Sequence, residues 1–432
     1  MRILMIAGMP FFEPRGSPFH IYYRAQALSQ LGHTVDLVTY SLGEDVSIPN
    51  VRLRRALPLP FLRRVKIGPS LAKFPLDTLV ALRAFGLLLT HRYDCINTHE
   101  ELGLFGVIFK KVFRTPLMHD MHSSLSEQLA NSKFTRSRLL HRSMRWAERT
   151  ILRNANGLIV ICPDMERVVE EFAPGAPLTV IENTTVSAVE KGERSPATVR
   201  AQVAALRSEF DLPVEGGPIL LYTGTFETYQ GLELVLDGIH DVLAVQPNAR
   251  YLFVGGKPEQ VTRLRQRAQE LGVADAVRLV GQRPATEMPA LMELADVLLS
   301  PRAQGTNTPL KIYSYMHARR AMLATNIRSH TQVLTPKVAM LVEPTVTAVA
   351  EGTITLLGDA ALRERLAASA YRLAVEQYSY ESYVERTNKA YRRLVASVPV
   401  PVASVPSVPI AGVAKSTNAR RPTRRTTAHP NR

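Results

Sequence analysis

Short apolar runs alternate with longer amphipathic segments along most of the chain. RILMIAG at residues 2–8 and PLMHDMH at 116–122 are typical of buried strands, whereas residues 17–31 and 231–245 have the spacing of single amphipathic helices. The alternation continues to about residue 377. Strands that alternate with helices form parallel sheets covered on both faces. The pattern therefore predicts an α/β fold with two doubly wound parallel sheets.

Changes in composition divide the chain further. We predict a first domain at residues 1–188, a polar linker at 189–214, a second domain at 215–377 and a terminal helix at 378–396. Residues 397–432 contain proline-rich repeats followed by a basic run without acidic residues, and such a sequence cannot build a core. We therefore predict a disordered C-terminal tail.

The composition is that of a globular protein in a reducing compartment. Of 432 residues, 46% are hydrophobic and 21% are charged, which excludes disorder for most of the chain. Cys95 and Cys162 lie inside apolar runs and are expected to be free thiols. The chain begins directly with a strand, and its longest apolar run, from Leu79, is interrupted by Arg83 and is shorter than the ~20 residues that span a bilayer. We expect a cytoplasmic protein.

Residues 300–325 form the clearest candidate for a binding site. The loop GTNTP follows a buried strand there and precedes a segment with helical character. Thr308 suits the N-cap and Pro309 the first helical turn, so the free N–H groups of residues 308–311 are expected at the carboxyl edge of a sheet. Such a helix start binds anions, and Lys311 adds a full positive charge. An ordinary strand-loop-helix connection is the alternative.

The chain resembles the family-4 retaining glycosyltransferases of the GT-B fold. The resemblance rests on GTNTPLKIYSY, which is similar to the family's P-x-K-x-x-E-Y pattern, and on GMPFFEPRGSP, YTGTFETYQG, FVGG and RLVGQRPATEMPALMELADVLLSPR. It covers roughly residues 1–395. It implies two Rossmann-like domains that face each other across a cleft, with the terminal helix crossing back to the first domain.

The resemblance also implies a function. A protein of this family moves a sugar from a nucleotide diphosphate-sugar to an acceptor hydroxyl group with retention of the anomeric configuration, as a hexosyltransferase of class EC 2.4, and needs no metal or other cofactor. The acceptor is expected to be a lipid-linked or cell-envelope glycan, within polysaccharide or glycolipid biosynthesis.

Residues that match the family's motifs define the expected active site. His122 matches the histidine that faces the donor sugar, and Asp120 is the second expected catalytic residue, whereas His99 and His119 are expected to be structural. The expected donor-binding residues lie beyond strand ends of both domains and are Gly16, Ser17, Thr225, Gln230, Arg302, Gly305, Thr306, Asn307, Thr308, Pro309, Lys311 and Ser314.

Four positions depart from the family's pattern. Thr225 and Gln230 stand where the family has an arginine and a lysine, and Thr306 and Ser314 stand where it has two glutamates. Two alternatives therefore stay open, a catalytically silent sugar-nucleotide-binding protein and a sugar-nucleotide epimerase of the same fold. We favour a divergent but active transferase, because the GTNTPLKIY segment still forms a polar pocket whose backbone N–H groups and Lys311 can offset the lost charges.

Metal and nucleic acid are not expected as partners. His119 and His122 flank Asp120, but this spacing on a strand end does not converge on one ion, and no third ligand is evident. The formal net charge of +15 suits a nucleic-acid-binding protein, yet no recognised binding module is present.

Two basic segments predict contact with an anionic membrane surface. Residues 52–66, RLRRALPLPFLRRVK, interleave cations with apolar side chains, as interfacial segments do. Four arginines share one face of the helix predicted from Ser137, namely Arg138, Arg142, Arg145 and Arg149. Each cation close to an anionic leaflet contributes about 1 kcal/mol. We predict a peripheral protein on the inner face of the cytoplasmic membrane, and a solvated basic face without a partner is the alternative.

Overall fold

The computed structural model describes residues 1–13, 16–59, 62, 73–126, 137–184, 196–212 and 217–396. The predicted tail at 397–432 lies outside this part of the chain, and so do the predicted domain limits at 188/189 and 214/215.

Seven parallel strands form the first sheet, in the order β3-β2-β1-β4-β5-β6-β7. The strands are β1 Arg2–Ile6, β2 Thr34–Thr39, β3 Val51–Arg55, β4 Cys95–His99, β5 Leu117–Met121, β6 Gly157–Val160 and β7 Leu178–Val180. The helices of this half are α1 Gly16–Gln30, α2 Lys73–Thr90, α3 Gly103–Phe113, α4 Arg138–Asn154 and α5 Pro163–Phe172, and α6 Pro196–Glu209 follows in the connection. The chain reverses direction across the sheet between β1 and β4, so a crevice opens at their carboxyl ends.

Six parallel strands form the second sheet, in the order β10-β9-β8-β11-β12-β13. The strands are β8 Ile219–Gly224, β9 Arg250–Gly255, β10 Val277–Gly281, β11 Val297–Ser300, β12 Ala321–Thr325 and β13 Met340–Val342. The helices are α7 Leu232–Asp237, α8 Ile239–Val245, α9 Pro258–Glu270, α10 Met288–Leu294, α11 Lys311–His317, α12 Arg328–Thr331, α13 Val346–Gly358, α14 Ala360–Gln377 and α15 Tyr380–Ala396. The prediction of two doubly wound parallel sheets is confirmed.

The terminal helix α15 packs against the first sheet although it follows the second in sequence. Its Tyr391 and Leu394 are buried in one cluster with Ile3 and Met5 of β1. Each sheet carries apolar clusters on both of its faces, so both sheets lie in the middle of a helix-sheet-helix sandwich.

One sequence prediction about local structure is wrong. Residues 231–245 form two helices instead of one, and they meet at Gly238, where a Cβ atom would lie 3.2 Å from the Cβ of Ala350 on α13. In the basic segment at 52–66, residues up to Arg55 belong to the edge strand β3. There Arg54 pairs with Asp36 at 3.0 Å, and Arg55 binds a carboxylate and backbone carbonyls nearby. These arginines are therefore structural; residues 60, 61 and 63–66 lie outside the described chain.

Among the helices that the structure describes, none is both long enough and apolar enough to cross a bilayer.

Candidate active site

The carboxyl ends of the two sheets meet at one place, which is where most of the predicted site residues lie. The loop before α11 reaches the first half of the chain, because Asn307 Nδ2 donates to the backbone oxygen of His122 at 3.0 Å. Gln332 forms a second link, since its Nε2 donates to the backbone oxygen of Thr306 at 2.7 Å and its Oε1 accepts from the N–H of Asp164 at 2.9 Å. The loop that carries the candidate anion site is thus held against the histidine.

Lys311 has a buried ammonium group and is not a solvated surface lysine. Its Nζ lies 3.5 Å from the ring centre of Tyr222 and has no hydrogen-bond partner among the described residues. The backbone of Gly224 at the end of β8 is so near that a Cβ atom there would lie 3.2 Å from this Nζ. Burial, and then the charge of Arg302, lower the pKa of Lys311 well below 10.5. An anion bound beside this group would stabilise its charged form.

The predicted N-cap at Thr308 is wrong, because α11 begins three residues later at Lys311. Leu310 precedes the helix in an already helical conformation and makes no side-chain capping bond. The carbonyl of Pro309 accepts from the N–H of Ile312 at 3.2 Å, so a tighter turn leads into the helix. The helix has seven residues, and the charge of Lys311 is therefore the stronger attraction for an anion.

Arg302 shapes the loop before α11. Its Nε donates to the carbonyl of Gln304 at 2.7 Å and its Nη1 to the carbonyl of Asn307 at 2.9 Å. Gly305 has φ of 125°, and a Cβ atom there would come within 2.2 Å of the guanidinium group. A glycine is therefore required at this close approach. Two of the three nitrogens of Arg302 thus hold the loop.

The remaining predicted donor residues of the second half surround Lys311 or its loop. Thr225 follows Gly224 and is half-buried, and its carbonyl accepts from the hydroxyl of Tyr222 at 2.7 Å. Gln230 is buried, and its Oε1 has no hydrogen-bond partner in the part of the chain described. Ser314 is half-buried on α11, one turn after Lys311, whereas Thr308 and Pro309 are buried under the loop.

The histidine predicted to face the donor sugar lies between two carboxylates. His122 Nε2 is 3.2 Å from Asp120 Oδ1, and His122 Nδ1 is 3.9 Å from Glu100 Oε1. Its side chain is 4% exposed. Burial opposes a charge on this imidazole, but the hydrogen bond and charge of Asp120 and the charge of Glu100 outweigh it and raise the pKa of His122.

Asp120 lies behind His122 in a buried ion pair. Its Oδ2 accepts from Arg24 Nε at 2.9 Å, and the two side chains are 1% and 3% exposed. Burial alone would raise the pKa of this carboxyl, but Arg24 and His122 hold it well below 3.8. Asp120 is therefore an ionised residue that positions His122.

Three side chains in this cluster could in principle hold a cation. His99, Asp120 and His122 offer ligand atoms that lie within 4.8 Å of one another, so His99 supplies the third ligand that sequence reasoning did not find. His119 turns away to Thr98, 3.1 Å from its hydroxyl. Arg24 already neutralises Asp120, however, and its charge would repel a divalent ion at this place.

Sequence reasoning missed three residues of the cluster: His20, Arg24 and Glu100. The rings of His20 and His122 are 4.7 Å apart, and burial lowers the pKa of His20 well below 6.5. Ser17, His20 and Arg24 recur at helical spacing on α1, whose first turn follows the predicted glycine loop at Gly16. This spacing was a signal that the three side chains share one face toward the sheet edge.

Comparisons with known proteins identify the family. Residues 16–184 match the model described as glycosyl transferase 4-like domain, and residues 207–373 match the model described as glycosyl transferases group 1. The chain is 25% identical over 407 residues to phosphatidyl-myo-inositol mannosyltransferase of Mycobacterium leprae, which covers 92% of this chain and 98% of that protein. It is 27% identical over 351 residues to D-inositol 3-phosphate glycosyltransferase of Corynebacterium efficiens, covering 72% and 78%.

Solved structures agree on the fold. Sucrose-phosphate synthase of Thermosynechococcus elongatus superposes with a TM-score of 0.74 at 20% identity and covers 92% of this chain and 99% of that chain. The Anabaena protein HepE, solved in complex with UDP, superposes with a TM-score of 0.70 at 16% identity. This match covers 91% of this chain and 100% of that chain.

Two parallel-sheet domains with a polar site at their facing edges define a glycosyltransferase of the GT-B class. The two family models together cover more than half of the chain, which belongs to the family-4 glycosyltransferases.

Proposed function

We propose that this protein transfers a sugar from a nucleotide diphosphate-sugar to a hydroxyl group of a lipid-linked or cell-envelope glycan acceptor, with retention of the anomeric configuration. The observation that carries the proposal is the buried ammonium of Lys311, which has no hydrogen-bond partner among the described residues. A diphosphate supplies the charge that this group lacks. Names of the relatives that cover most of this chain, a mannosyltransferase and an inositol phosphate glycosyltransferase, support the reaction class.

The donor phosphates would lie between Lys311 and the turn after β8. Gly224 has no side chain, so its backbone lies close to the Lys311 ammonium, and Thr225 offers a hydroxyl and a backbone N–H where the family's pattern has a cation. The charge lost at Thr225 and Gln230 is thereby partly replaced by one ammonium in a site of low dielectric, where a single charge has a larger effect than in water.

Chemistry on one face of the sugar is the route that the environment of Asp120 favours. Asp120 is held by Arg24 and is 1% exposed, so it is not free to attack the sugar. The leaving phosphate would then assist the incoming acceptor hydroxyl group on the same face, while His122 contacts the sugar. Closure of the two sheet edges excludes water, which would otherwise hydrolyse the donor.

An incubation with radiolabelled nucleotide sugars tests the proposal. Purified protein is mixed with UDP-glucose or GDP-mannose and with a lipid extract, and lipid-soluble label is counted. Transfer is the expected outcome. An epimerised donor would indicate the epimerase, and a donor-induced rise in melting temperature without turnover would indicate a silent binder.

His122→Ala is expected to lower kcat about ten- to thirtyfold and to change donor affinity less, because a hydrogen bond to a charged group contributes about 1.5–2 kcal/mol. Single-turnover rates, donor titration and thermal unfolding measure the three quantities. Equal losses of activity and folding stability would instead assign His122 a structural role.

The membrane part of the proposal rests on three neighbouring helices of the first half. α2 packs against α3, and α3 against α4, so their outer surfaces are continuous. We call this surface the apolar-basic face. Its exposed large apolar side chains are Phe74, Leu82, Phe85, Leu89, Ile108, Val112, Leu139 and Trp146. Its exposed cations include Arg83, Lys111, Arg114, Arg138 and Arg142. Apolar side chains among cations fit an anionic bilayer surface.

Replacing Leu82, Leu89 and Trp146 with serine is expected to weaken binding to anionic vesicles by about tenfold or more, because each buried apolar side chain contributes about 1 kcal/mol or above. Sedimentation with anionic and neutral vesicles at two salt concentrations measures this. Serine at Val245, Val375 and Val395, which are also exposed, is the matched control. A wild-type protein that stays in the supernatant at low salt would contradict the membrane proposal.

A further inference from the structure

Glu100 places a carboxylate beside His122 at the edge of the first sheet. It directly follows β4 with φ of 51°, a left-handed conformation that non-glycine residues rarely adopt. Ser123 donates its hydroxyl to this carboxylate, 3.1 Å from Oε1 and 3.0 Å from Oε2. The side chain is 12% exposed. The neighbouring acid, Glu101, is already paired with Lys73 at 3.1 Å, so Glu100 is the carboxylate with capacity for a further bond.

A gap separates this carboxylate from the imidazole. His122 Nδ1 is buried and has no hydrogen-bond partner among the residues that the structure describes, and it lies 3.9 Å from Glu100 Oε1. This distance is too long for a direct hydrogen bond. A hydroxyl oxygen about 2.8 Å from each atom would bridge them. Such a group can donate to the carboxylate and accept from the N–H of the imidazole.

We infer that Glu100 and His122 together bind one ring hydroxyl group of a substrate and that Glu100 thereby determines which substrate is used. The inference rests on the proposed function. The hydroxyl group belongs either to the sugar of the donor or to a polyhydroxylated acceptor, and the chemistry of recognition is the same in both cases. A site built to hydrogen-bond a hydroxyl group rejects the analogue that lacks it, because its buried polar atoms are then left unpaired.

Substrates that lack one hydroxyl group test the inference. The probes are UDP-glucose, GDP-mannose and their monodeoxy derivatives, with phosphatidylinositol and its monodeoxy derivatives as acceptors. Wild-type protein is expected to lose at least tenfold in kcat/KM with one of these analogues. Glu100→Ala is expected to lose a similar factor with the complete substrate and to show no further loss with that analogue.

Donor hydrolysis without an acceptor identifies the source of the hydroxyl group. If Glu100→Gln slows hydrolysis and weakens donor binding, the group belongs to the donor. If hydrolysis is unchanged and the acceptor KM rises, the group belongs to the acceptor. Either result supports the inference.

Two controls separate this contact from a structural role. Glu100→Gly places a glycine at φ of 51°, which suits it, so its melting temperature is expected to equal or exceed that of wild type while activity falls. Glu171→Gln makes the same substitution as Glu100→Gln at an exposed acid on α5. It is expected to change neither the melting temperature nor the activity. If Glu100→Ala lost activity with every deoxy analogue by the same further factor as wild type, the inference would be overturned. The proposed function would be unaffected by that result. A wild-type protein that neither transfers nor hydrolyses these donors would overturn the proposed function as well.

Discussion

Replacing Lys311 with alanine is expected to reduce kcat/KM for the nucleotide donor about 100- to 1000-fold, because the leaving diphosphate loses the cation that stabilises its developing charge. The fold should survive. The ammonium makes no hydrogen bond to any described residue, and its contact with the Tyr222 ring is the interaction removed. Donor titration, steady-state kinetics and thermal unfolding measure the effect.

The pH dependence of donor binding gives a second measure of the same group. Burial lowers the pKa of Lys311 well below 10.5 in the free protein, and a diphosphate beside it would raise that pKa. Donor binding should therefore take up protons, and affinity should fall as pH rises through the pKa of the free protein. Lys311→Arg keeps a permanent charge and should show a flatter profile. Full activity in Lys311→Ala would rule out this lysine as the phosphate site.

Asp120→Asn is expected to lower the free energy of unfolding by about 3–5 kcal/mol, because it leaves the buried Arg24 guanidinium without its counter-charge. This is a large part of the ~5–15 kcal/mol that stabilises a typical domain. Since the pKa of Asp120 in the folded protein lies well below 3.8, its contribution is present above about pH 4 and is lost as the pH falls further. Denaturant unfolding at two pH values measures both effects.

Asp45→Asn is the matched control for this substitution. Asp45 also pairs with an arginine, at 2.6 Å, but its side chain is 84% exposed. Exposed pairs contribute about 0–1 kcal/mol, so little change is expected. Equal effects at the two aspartates would show that the Arg24 pair is not a buried structural element.

The two sheets could be predicted because most of their strands are rich in apolar residues, as strands covered on both faces are. The edge strand β3, VRLRR, could not be predicted from the sequence, because most of its residues are half-buried and three of the five are arginines. Its arginines fit into a strand because they pair with side chains on other segments, as Arg54 does with Asp36. This pairing cannot be recognised from the order of residues in the sequence.

The candidate site likewise contains residues that the sequence could predict and residues that it could not. Lys311 and His122 were found because they stand in short motifs with a chemical meaning. The role of Asp120 in positioning His122 was not found, because it depends on Arg24, which lies 96 residues away in sequence. The position of Glu100 beside His122 likewise depends on two neighbouring strands ending at the same edge. Side-chain environments built from distant segments need the fold before they can be recognised.

The packing of α15 determines when the first domain can be completed during synthesis. Arg24 donates to the hydroxyl of Thr387 at 2.6 Å, and 363 residues separate the two. Tyr391 and Leu394 fill the same apolar cluster as β1. The first domain leaves the ribosome early, but it lacks these partners until nearly the whole chain has been translated. A nascent chain that stops before α15 therefore exposes the apolar cluster that Tyr391 and Leu394 cover, and Arg24 lacks its bond to Thr387.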